Sequence, residues 1–460
     1  MFTRRTFVST AAAVSFSAGA VARTASRKQP NIIFIMADDL GYADLSFTGR
    51  TEYDTPHIDS IAQQGCFFSE AYANSSVCSP TRMALATGRY QYRLRGGLDE
   101  PIGAGTEDVG LPPEHPTIAS LLRQTGYRTV LVGKWHLGSP PNFSPLKSGY
   151  DRFFGIHSGG VDYFTHSGSM AGPGTSDLRD GNEIVSRHGY LTNILTDRAI
   201  AEIDLAAASN KPLFLSLHYT APHWPWEGPE DEALAAKIKS LLHYDGGTDS
   251  TFAEMVRSLD AGVGRVLATL EARGLTHDTI IVFTSDNGGE RFSKVWPFDG
   301  MKGDLLEGGI RVPMMMRWPG QIAAGSRSDQ VAMTMDFLPT LLAAAGGAPH
   351  PRYPSDGMDL LPVARGVSAS AERTVFWRYK AGEQAAARRG RWKMLRVNGH
   401  EYLFNLANDK QERANLKDAY PQIFAELKDA WRGWNDTMLR YPDNSPSYTT
   451  KGKGLLAVHD

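Results

Sequence analysis

The feature of this sequence that most restricts its fold is a series of short apolar runs, separated by amphipathic stretches with helical spacing. The runs are continuously hydrophobic, which is typical of strands that are buried on both faces of a parallel sheet. The sequence therefore predicts an α/β fold with a large, mostly parallel central sheet between layers of helices. The runs are NIIFIM (31–36), TVLVG (129–133), PLFLSLHY (212–219), TIIVFTS (279–285) and VPMMMRW (312–318).

The pattern changes after Gly346, where a segment rich in proline, glycine and serine begins. Beyond this segment, three strand-like stretches precede one helical stretch, YPQIFAELKDAWRGWNDTMLRY (420–441). Short strands that are joined by turns predict an antiparallel sheet. We therefore expect a main domain over residues 30–346 and a smaller C-terminal α+β subdomain over residues 347–460.

The first 22 residues have the composition of an export signal. Arg4 and Arg5 precede a small apolar run that is too short to span a bilayer, and Ala20-Val21-Ala22 resembles a cleavage site. The paired arginines resemble a twin-arginine signal, and an ordinary secretory signal is the alternative. We therefore expect the export machinery to remove residues 1–22, and the mature protein to work in the periplasm without a membrane anchor.

The charge of the chain gives no indication of a nucleic-acid partner. The sequence has 48 Lys and Arg residues against 50 Asp and Glu residues, a formal net charge of −2. Neither a basic arm nor an acidic tail stands out, and nucleic-acid binding proteins usually carry such a basic region.

Polar residues follow four of the apolar runs at the points where the runs end. The carboxyl ends of parallel strands share one edge of a sheet, and ligands of open α/β proteins bind beyond that edge. Charged and imidazole side chains at these ends would be costly to bury unpaired, so together they predict a single polar site. In chain order these residues are Asp38, Asp39, Lys134, His136, His223, Asp286 and Asn287.

Four of these residues, Asp38, Asp39, Asp286 and Asn287, offer only oxygen donors. Three carboxylates this close together would repel one another strongly without a cation. Oxygen donors suit calcium or magnesium better than zinc. The set therefore predicts a hard-metal site, whereas an isolated Asp-Asp pair would more simply be a solvated loop.

The stretch SVCSPTRMALATGRY (76–90) places Cys78 at the start of a predicted helix that ends at Gly88. Pro80 suits the first turn of a helix, so Cys78 is expected just ahead of the helix N-terminus, where free N–H groups favour an anion. Arg82, one turn further along, can reach back to the same anion. This arrangement predicts a nucleophile at Cys78 that acts on an oxyanion substrate.

A disulfide with Cys66 is the alternative use of Cys78, since an exported protein with two cysteines commonly pairs them. Cys66 lies in the apolar stretch QQGCFFSEAY (63–72). A small buried thiol is a natural filler in such a stretch, so we expect Cys66 to be free.

Several segments resemble the type I sulfatases, which belong to the alkaline phosphatase superfamily. CSPTR (78–82) and TGRY (87–90) are similar to the family signature, and the other segments follow in the family's order over nearly all of the mature chain. The resemblance implies an alkaline phosphatase-like sheet and hydrolysis of sulfate esters, either aryl sulfates or sulfated carbohydrates. The other segments are PNIIFIMADDLGYADL (30–45), GYRTVLVGKWHLG (126–138), PLKSGYDRFFG (145–155), APHWP (221–225), FTSDNGG (283–289) and MKGDLLEGGIRVP (301–313).

The resemblance also implies a role for each polar residue of the predicted site. In this family a dedicated maturation enzyme oxidises the signature cysteine, here Cys78, to formylglycine. The implied ligands of one Ca²⁺ per chain are Asp38, Asp39, Cys78, Asp286 and Asn287. The implied substrate-handling residues are Arg82 and Lys134 at the sulfate, His136 as the base, and His223 and Lys302 on the leaving-group side.

The implied mechanism uses the hydrate of formylglycine, one hydroxyl of which attacks sulfur and expels the alcohol. The alcohol receives a proton from His223 or Lys302. His136 then takes the proton of the second hydroxyl, the aldehyde re-forms, and sulfate leaves without attack of water on sulfur.

Four other classes of protein are alternatives that the same residues could support. A cysteine phosphatase needs an arginine six positions after the cysteine, where this chain has Ala84, and a two-zinc phosphatase needs a histidine at the position of Asn287. A formylglycine-dependent phosphodiesterase or phosphonate monoester hydrolase shares the signature and stays open. A non-catalytic sulfated-sugar-binding relative is disfavoured because every polar position of the site is retained.

Two features have no role that the sequence alone assigns. Ser158, in GIHSGGVDY (155–163), aligns only loosely with a family serine that contacts the substrate. Rings that could line a substrate pocket, or equally pack in the core, belong to Trp135, Tyr163, Phe164, His166, Trp224, Trp226 and Trp296.

Overall fold

A computed structural model describes residues 1, 29–103, 108–168, 176–209, 211–237 and 246–449. Apart from Met1, the predicted export signal lies outside the described residues. Within them, no helix combines the length and the apolar character that crossing a membrane requires.

The strands fall where the apolar runs predicted them, with further short strands between. In chain order they are β1 (Asn31–Ala37), β2 (Cys66–Phe68), β3 (Ala71–Tyr72), β4 (Arg128–Lys134), β5 (Arg152–Ile156), β6 (Leu178–Asp180), β7 (Glu183–Ile184), β8 (Leu213–His218), β9 (Thr279–Ser285), β10 (Met314–Arg317), β11 (Ser326–Ser328), β12 (Ala332–Met333), β13 (Thr374–Tyr379), β14 (Gln384–Arg389), β15 (Trp392–Val397) and β16 (His400–Asn405).

Ten of these strands form the central sheet, in the order β11-β2-β10-β9-β1-β8-β4-β5-β6-β7. The middle strands, from β9 to β5, are parallel to one another. On one side β10 pairs antiparallel with β9, and on the other β6 pairs antiparallel with β5. The expectation of a mostly parallel central sheet is confirmed, and the run at 312–318 forms one of the antiparallel additions.

The register of the parallel strands brings the predicted polar residues together. Met36 of β1 lies beside His218 of β8, and Ala37 of β1 lies beside Ser285 of β9. Gly133 of β4 lies on the other side of His218. The strands therefore end level with one another, and the residues that follow them share one edge of the sheet.

Helices cover both faces of this sheet. Along β1, Ile33 and Ile35 belong to one buried core and Ile32 and Phe34 to another, as the alternation of a strand buried on both faces requires. The helices are α1 (Pro56–Gln63), α2 (Cys78–Thr87), α3 (Ile118–Gln124), α4 (Leu191–Ala207), α5 (Glu232–Ala235), α6 (Asp249–Ala272), α7 (Glu307–Ile310), α8 (Phe337–Ala344), α9 (Leu361–Ala364) and α10 (Pro421–Asn435). Side chains of α1, α4 and α6 close the first core, and those of α2, α3 and α8 close the second.

A separate four-stranded antiparallel sheet is formed by β13, β14, β15 and β16. Leu427 and Trp431 of α10 pack on one face of it, and Tyr72 and Leu305 of the main domain pack on the other. The predicted C-terminal unit with an antiparallel sheet is confirmed. Leu361 of α9, beyond the expected boundary at 346, still packs in the core of the central sheet.

Candidate active site

Cys78 is the first residue of α2, a ten-residue helix in which every residue is buried. The preceding Val77 is extended (φ −142°, ψ 160°), so the helix begins one residue earlier than the sequence predicted, and Pro80 still lies in its first turn. The helix ends at Gly88, whose left-handed φ of 65° lets its N–H reach the carbonyl of Ala84. The predicted placement of Cys78 at a helix N-terminus is therefore confirmed, with a shift of one residue.

Arg82, one turn along α2, connects the ends of three strands. Its guanidinium donates two hydrogen bonds to Asp286 Oδ2, at 3.0 and 2.8 Å, and one to the Lys134 carbonyl at 3.2 Å. It also lies 3.6 Å from Asp38 Oδ1. Burial lowers the pKa of Arg82, but the two carboxylates outweigh burial and raise that pKa. The guanidinium is therefore a fixed positive charge beside Cys78.

Lys134 and Asp38 form a fully buried ion pair with 2.5 Å between Lys134 Nζ and Asp38 Oδ2. Burial and the neighbouring Asp286 nevertheless raise the pKa of Asp38 well above its ordinary value, against the effect of Lys134 and Arg82. A further cation at this point would oppose the effect of burial and favour the charged form of Asp38.

Asp39 gathers a second group of side chains on the other side of the site. Its carboxylate accepts hydrogen bonds from Asn287 Nδ2 and from Lys302 Nζ, both at 2.7 Å. His223 Nε2 lies 3.7 Å from Asp39 Oδ2. Burial raises the pKa of Asp39, but Lys302 and His223 outweigh burial and hold that pKa below its usual range. Asp39 is therefore charged, and it fixes Lys302 and His223 next to each other.

The predicted metal ligands meet at one place and fit a hard cation. Ligand atoms of Asp38, Cys78 and Asp286 lie within 4.8 Å of one another, and so do those of Asp38, Asp39 and His223. Asp38 Oδ1 and Asn287 Oδ1 are buried and find no hydrogen-bond partner in the part of the chain that the structure describes. Buried oxygens without a donor are costly, and a cation with oxygen ligands would satisfy them.

His136 has one ring nitrogen that is free to accept a proton. Its Nε2 lies 2.9 Å from the Ile102 carbonyl, and because a carbonyl only accepts, Nε2 carries the proton. Nδ1 is buried without a hydrogen-bond partner among the described residues. Burial, then the charges of Lys134 and Arg82, lower the pKa of His136 well below its ordinary value. The imidazole is therefore neutral.

Reasoning from the sequence missed His218, the last residue of β8. Its Nδ1 lies 3.2 Å from the Lys134 carbonyl and 3.4 Å from Arg82 Nη1, and its Nε2 lies 2.8 Å from Ser216 Oγ. His218 therefore contacts Arg82, and both side chains contact the Lys134 carbonyl. The sequence did contain an indication of this role. The apolar run at 212–219 includes a serine and a histidine, and polar side chains on a buried strand need hydrogen-bond partners.

Ser158 lies in a segment that packs on His136. The Ser158 N–H donates to Asp177 Oδ2 at 2.7 Å, and its hydroxyl donates to the Gly160 carbonyl at 3.3 Å. A Cβ on the adjacent Gly159 would lie 2.5 Å from His136 Cε1, so this glycine allows the close approach. The segment thus supports the His136 ring, and a substrate contact of Ser158 stays a prediction.

Most of the aromatic candidates pack in the protein interior. The buried ones are Trp135, Tyr163, His166 and Trp226. Phe164 and Trp224 are half-buried, and the Trp224 ring contacts His223 with 4.5 Å between centroids. Trp296 is different because 66% of its surface is exposed.

Both cysteines are buried and free, so the disulfide alternative is wrong and the expectation of a free Cys66 is confirmed. Burial raises the pKa of the Cys78 thiol, although Lys134 and Lys302 oppose this effect. A thiol with a raised pKa is rarely ionised, and the thiolate is the nucleophilic form. An unmodified Cys78 is therefore poorly suited to attack.

Comparison with known families agrees with this geometry. Residues 30–348 match the family model described as Sulfatase. The chain belongs to the sulfatase family. In this sulfatase, residues 298–434 also match the family model described as N-sulphoglucosamine sulphohydrolase, C-terminal. The second match covers the antiparallel sheet and α10.

Individual relatives cover most of the sulfatase. N-acetylgalactosamine-6-sulfatase of Canis lupus familiaris is 31% identical over 411 residues, which are 82% of this chain and 73% of the relative. Arylsulfatase A of Homo sapiens is 32% identical over 377 residues, 76% of this chain and 70% of the relative. The crystal structure of Ps i-CgsB in complex with k-i-k-neocarrahexaose is 32% identical with a TM-score of 0.81, over 92% of this chain and 95% of that chain. The sulfatase is thus a type I sulfatase, an enzyme that hydrolyses sulfate esters.

Proposed function

We propose that this sulfatase removes sulfate from a sulfated carbohydrate, with Cys78 matured to formylglycine and with one bound Ca²⁺. The observation that supports this most directly is the buried cluster in which Cys78, Asp38 and Asp286 meet beside Arg82. The carbohydrate class rests on two similar proteins, N-acetylgalactosamine-6-sulfatase and Ps i-CgsB, whose complex contains k-i-k-neocarrahexaose.

Once Cys78 is formylglycine, its hydrated aldehyde supplies one hydroxyl to attack sulfur and a second hydroxyl whose proton can later be removed. Arg82 and Lys134 are two of the cations beside this position. They bind the anionic sulfate and stabilise the negative charge that develops on its oxygens. Because Asp286 and Asp38 hold these two cations in place, the site is organised before substrate arrives.

Two histidines divide the proton transfers. His136 has its free Nδ1 available to take the proton that allows sulfate to leave. His223 Nδ1 lies 2.6 Å from the Trp224 carbonyl, which fixes a proton on Nδ1. Burial, then the charge of Lys302, lower the pKa of His223 and Asp39 opposes them, so Nε2 must take up a second proton before it can protonate the leaving alcohol. Lys302, held by Asp39, stabilises the departing oxygen from the same side.

The ion that best fits the donor set is Ca²⁺, held by Asp38, Asp39, Asp286, Asn287 and the modified Cys78. Its charge would oppose the burial that, together with the charge of Asp286, raises the pKa of Asp38. When bound, it would act as a Lewis acid that polarises the oxygens at the reacting centre.

We further propose that maturation precedes export to the periplasm. Cys78 is buried in the folded protein, so a maturation enzyme must reach it before folding is complete. Twin-arginine export, the type that Arg4 and Arg5 indicate, carries folded proteins. The oxidation of Cys78 therefore belongs in the cytoplasm.

Sulfate release by the matured enzyme tests the proposed function. The substrates are N-acetylgalactosamine 6-sulfate, k-i-k-neocarrahexaose, 4-nitrophenyl sulfate and bis(4-nitrophenyl) phosphate. We expect sulfate release, with the highest kcat/KM on a sulfated carbohydrate. A higher kcat/KM on the phosphodiester would favour the phosphodiesterase alternative, and sugar binding without any release would favour the non-catalytic alternative.

Removal of the metal is expected to destabilise the protein and to abolish activity. The carboxylate cluster exists only in the folded state, so Ca²⁺ at about 100 times its Kd should add about 2.7 kcal/mol to the free energy of unfolding. The measurements are Tm and sulfate release after chelation and after return of Ca²⁺. Full activity without metal would contradict the oxygen-ligand assignment, and recovery with zinc alone would contradict calcium.

His223→Ala is expected to affect poor leaving groups far more than good ones. General acid catalysis accelerates a reaction about 10²- to 10⁴-fold. A sugar alkoxide is a poor leaving group that must be protonated as it departs, whereas nitrophenolate departs without a proton. We expect kcat to fall about 100-fold or more for the sulfated sugar and about tenfold or less for 4-nitrophenyl sulfate. His136→Ala is the matched comparison, and it should slow both substrates alike and accumulate sulfated enzyme. Equal losses in His223→Ala would remove His223 from the acid role.

A further inference from the structure

A carboxyl group without an assigned role, that of Glu290, has one unused oxygen near Lys302. Glu290 directly follows the FTSDNGG segment (283–289) and is 8% exposed. Its Oε2 is buried and finds no hydrogen-bond partner in the described part of the chain. An unpartnered buried carboxyl oxygen is costly, and a donor on a bound ligand would satisfy it.

Tyr448, from the C-terminal tail, holds this carboxyl group in position. Its hydroxyl donates a hydrogen bond to Glu290 Oε1, which leaves Oε2 free. Lys302 Nζ lies 5.4 Å from the centroid of the Tyr448 ring. The Tyr448 N–H donates to the Glu100 carbonyl at 2.6 Å, which fastens the tail to the main domain. Tyr448 therefore borders Lys302 and orients Glu290 from a distant part of the chain.

Lys302 connects this pair to the proposed reaction. Its Nζ donates a hydrogen bond to Asp39 Oδ2 at 2.7 Å, and the proposed function assigns it to the leaving-group side. The Lys302 backbone N–H donates to the carbonyl of Gly289, the residue before Glu290, at 3.0 Å. The charge of Lys302 also opposes the burial that raises the pKa of Glu290. A leaving sugar whose departing oxygen reaches Lys302 would bring its other hydroxyls toward Glu290.

On the basis of the proposed function, we propose that Glu290 accepts a hydrogen bond from a second hydroxyl of the leaving sugar. Tyr448 is its positioning residue. The pair selects leaving groups with a second hydroxyl, as in sugars, over aryl groups such as 4-nitrophenol, which lack one. The C-terminal subdomain thereby completes the specificity of a site whose reacting residues lie in the main domain.

The test is the ratio of kcat/KM for the better sulfated sugar of the panel to kcat/KM for 4-nitrophenyl sulfate. A site built to bond a substrate hydroxyl loses that preference when its partner is removed, so Glu290→Ala should lower the ratio about 30-fold or more. Tyr448→Phe leaves the carboxyl group but not its orientation, and should lower the ratio about fivefold. A change on both substrates in proportion would overturn the inference, and so would a wild-type enzyme that hydrolyses only the aryl ester.

Tyr441→Phe is the matched control. Tyr441 belongs to the same tail and donates through its hydroxyl to another buried carboxyl group, that of Glu100. The substitution removes the same kind of bond, and Tm should fall about as much as in Tyr448→Phe. The ratio should stay within about twofold of wild type, because Glu100 is not the carboxyl group bordering Lys302. A ratio change as large as that of Tyr448→Phe would assign the effect to tail packing and overturn the inference.

A binding measurement separates this inference from the proposed function. In a Cys78→Ala background, which cannot attack sulfur, calorimetry compares N-acetylgalactosamine 6-sulfate with inorganic sulfate. Glu290→Ala should weaken sugar sulfate binding about tenfold more than it weakens sulfate binding. If the wild type releases no sulfate but this difference is present, the proposed function fails and the inference holds. If the wild type is active and the difference is absent, the inference fails alone.

Discussion

Cys78→Ser is expected to reduce steady-state sulfate release at least about 10⁴-fold, the scale of loss when a nucleophile is removed. The serine hydroxyl would occupy the same first position of α2 and could still attack sulfur. It has no second hydroxyl, so the sulfate ester would have no route to an aldehyde and should persist. We expect at most one slow turnover and a sulfated protein that intact mass spectrometry detects.

Two variants control for this result. Cys78→Ala should fold and show neither turnover nor a sulfated species. Cys66→Ala removes the other buried thiol, in β2, and should keep activity while losing about 1 kcal/mol of stability from the lost packing. The protein must come from a host whose maturation enzyme does not oxidise serine. Wild-type turnover by unmodified Cys78→Ser would show that the formylglycine mechanism is wrong for this enzyme.

Asp286→Asn is expected to lower kcat/KM about 10³-fold, equivalent to about 4 kcal/mol of transition-state stabilisation. Asp286 Oδ2 accepts two hydrogen bonds from Arg82, and its Oδ1 accepts one from the Asp39 N–H at 3.2 Å. Loss of the charge therefore disturbs the sulfate-binding cation and removes a metal ligand together. The increase in Tm that Ca²⁺ produces should also become smaller, and calorimetry with and without Ca²⁺ measures it.

Asp336→Asn is the matched control for that variant. Asp336 is also fully buried and paired with an arginine, 2.7 Å from Arg373 Nη1, but it lies outside the site. Breaking this pair should lower Tm, because a buried charge loses its partner. The response of Tm to Ca²⁺ should remain that of the wild type. An undiminished response in Asp286→Asn would remove Asp286 from the metal ligands.

The edge of the sheet and the residues on it could be predicted because each step follows from local sequence. The runs that became β1, β4, β8 and β9 are apolar throughout, which identifies strands buried on both faces. Parallel strands end at one edge, so the polar residues that follow them had to meet. The level register of these strands in the structure brings Asp38 and Asp286 together as that argument required.

Other parts of the site could not be predicted, because they depend on contacts between distant segments. The run at 312–318 is as apolar as its parallel neighbours, and hydrophobicity does not specify strand direction. Tyr448 and Glu290 are 158 positions apart, and no periodicity connects them. The hydrophobic pattern of the sequence indicates which residues are buried, whereas the tertiary fold determines the partner of each buried polar group.

Peptide mass spectrometry of Cys78 in active enzyme tests the central claim most directly. The peptide that contains residues 78–82 should carry an aldehyde or its hydrate in place of the thiol, and the peptide that contains Cys66 should be unmodified. The fraction of converted peptide should rise in proportion to specific activity across preparations. Fully active enzyme with an unmodified Cys78 thiol, or with a disulfide between Cys78 and Cys66, would contradict the account.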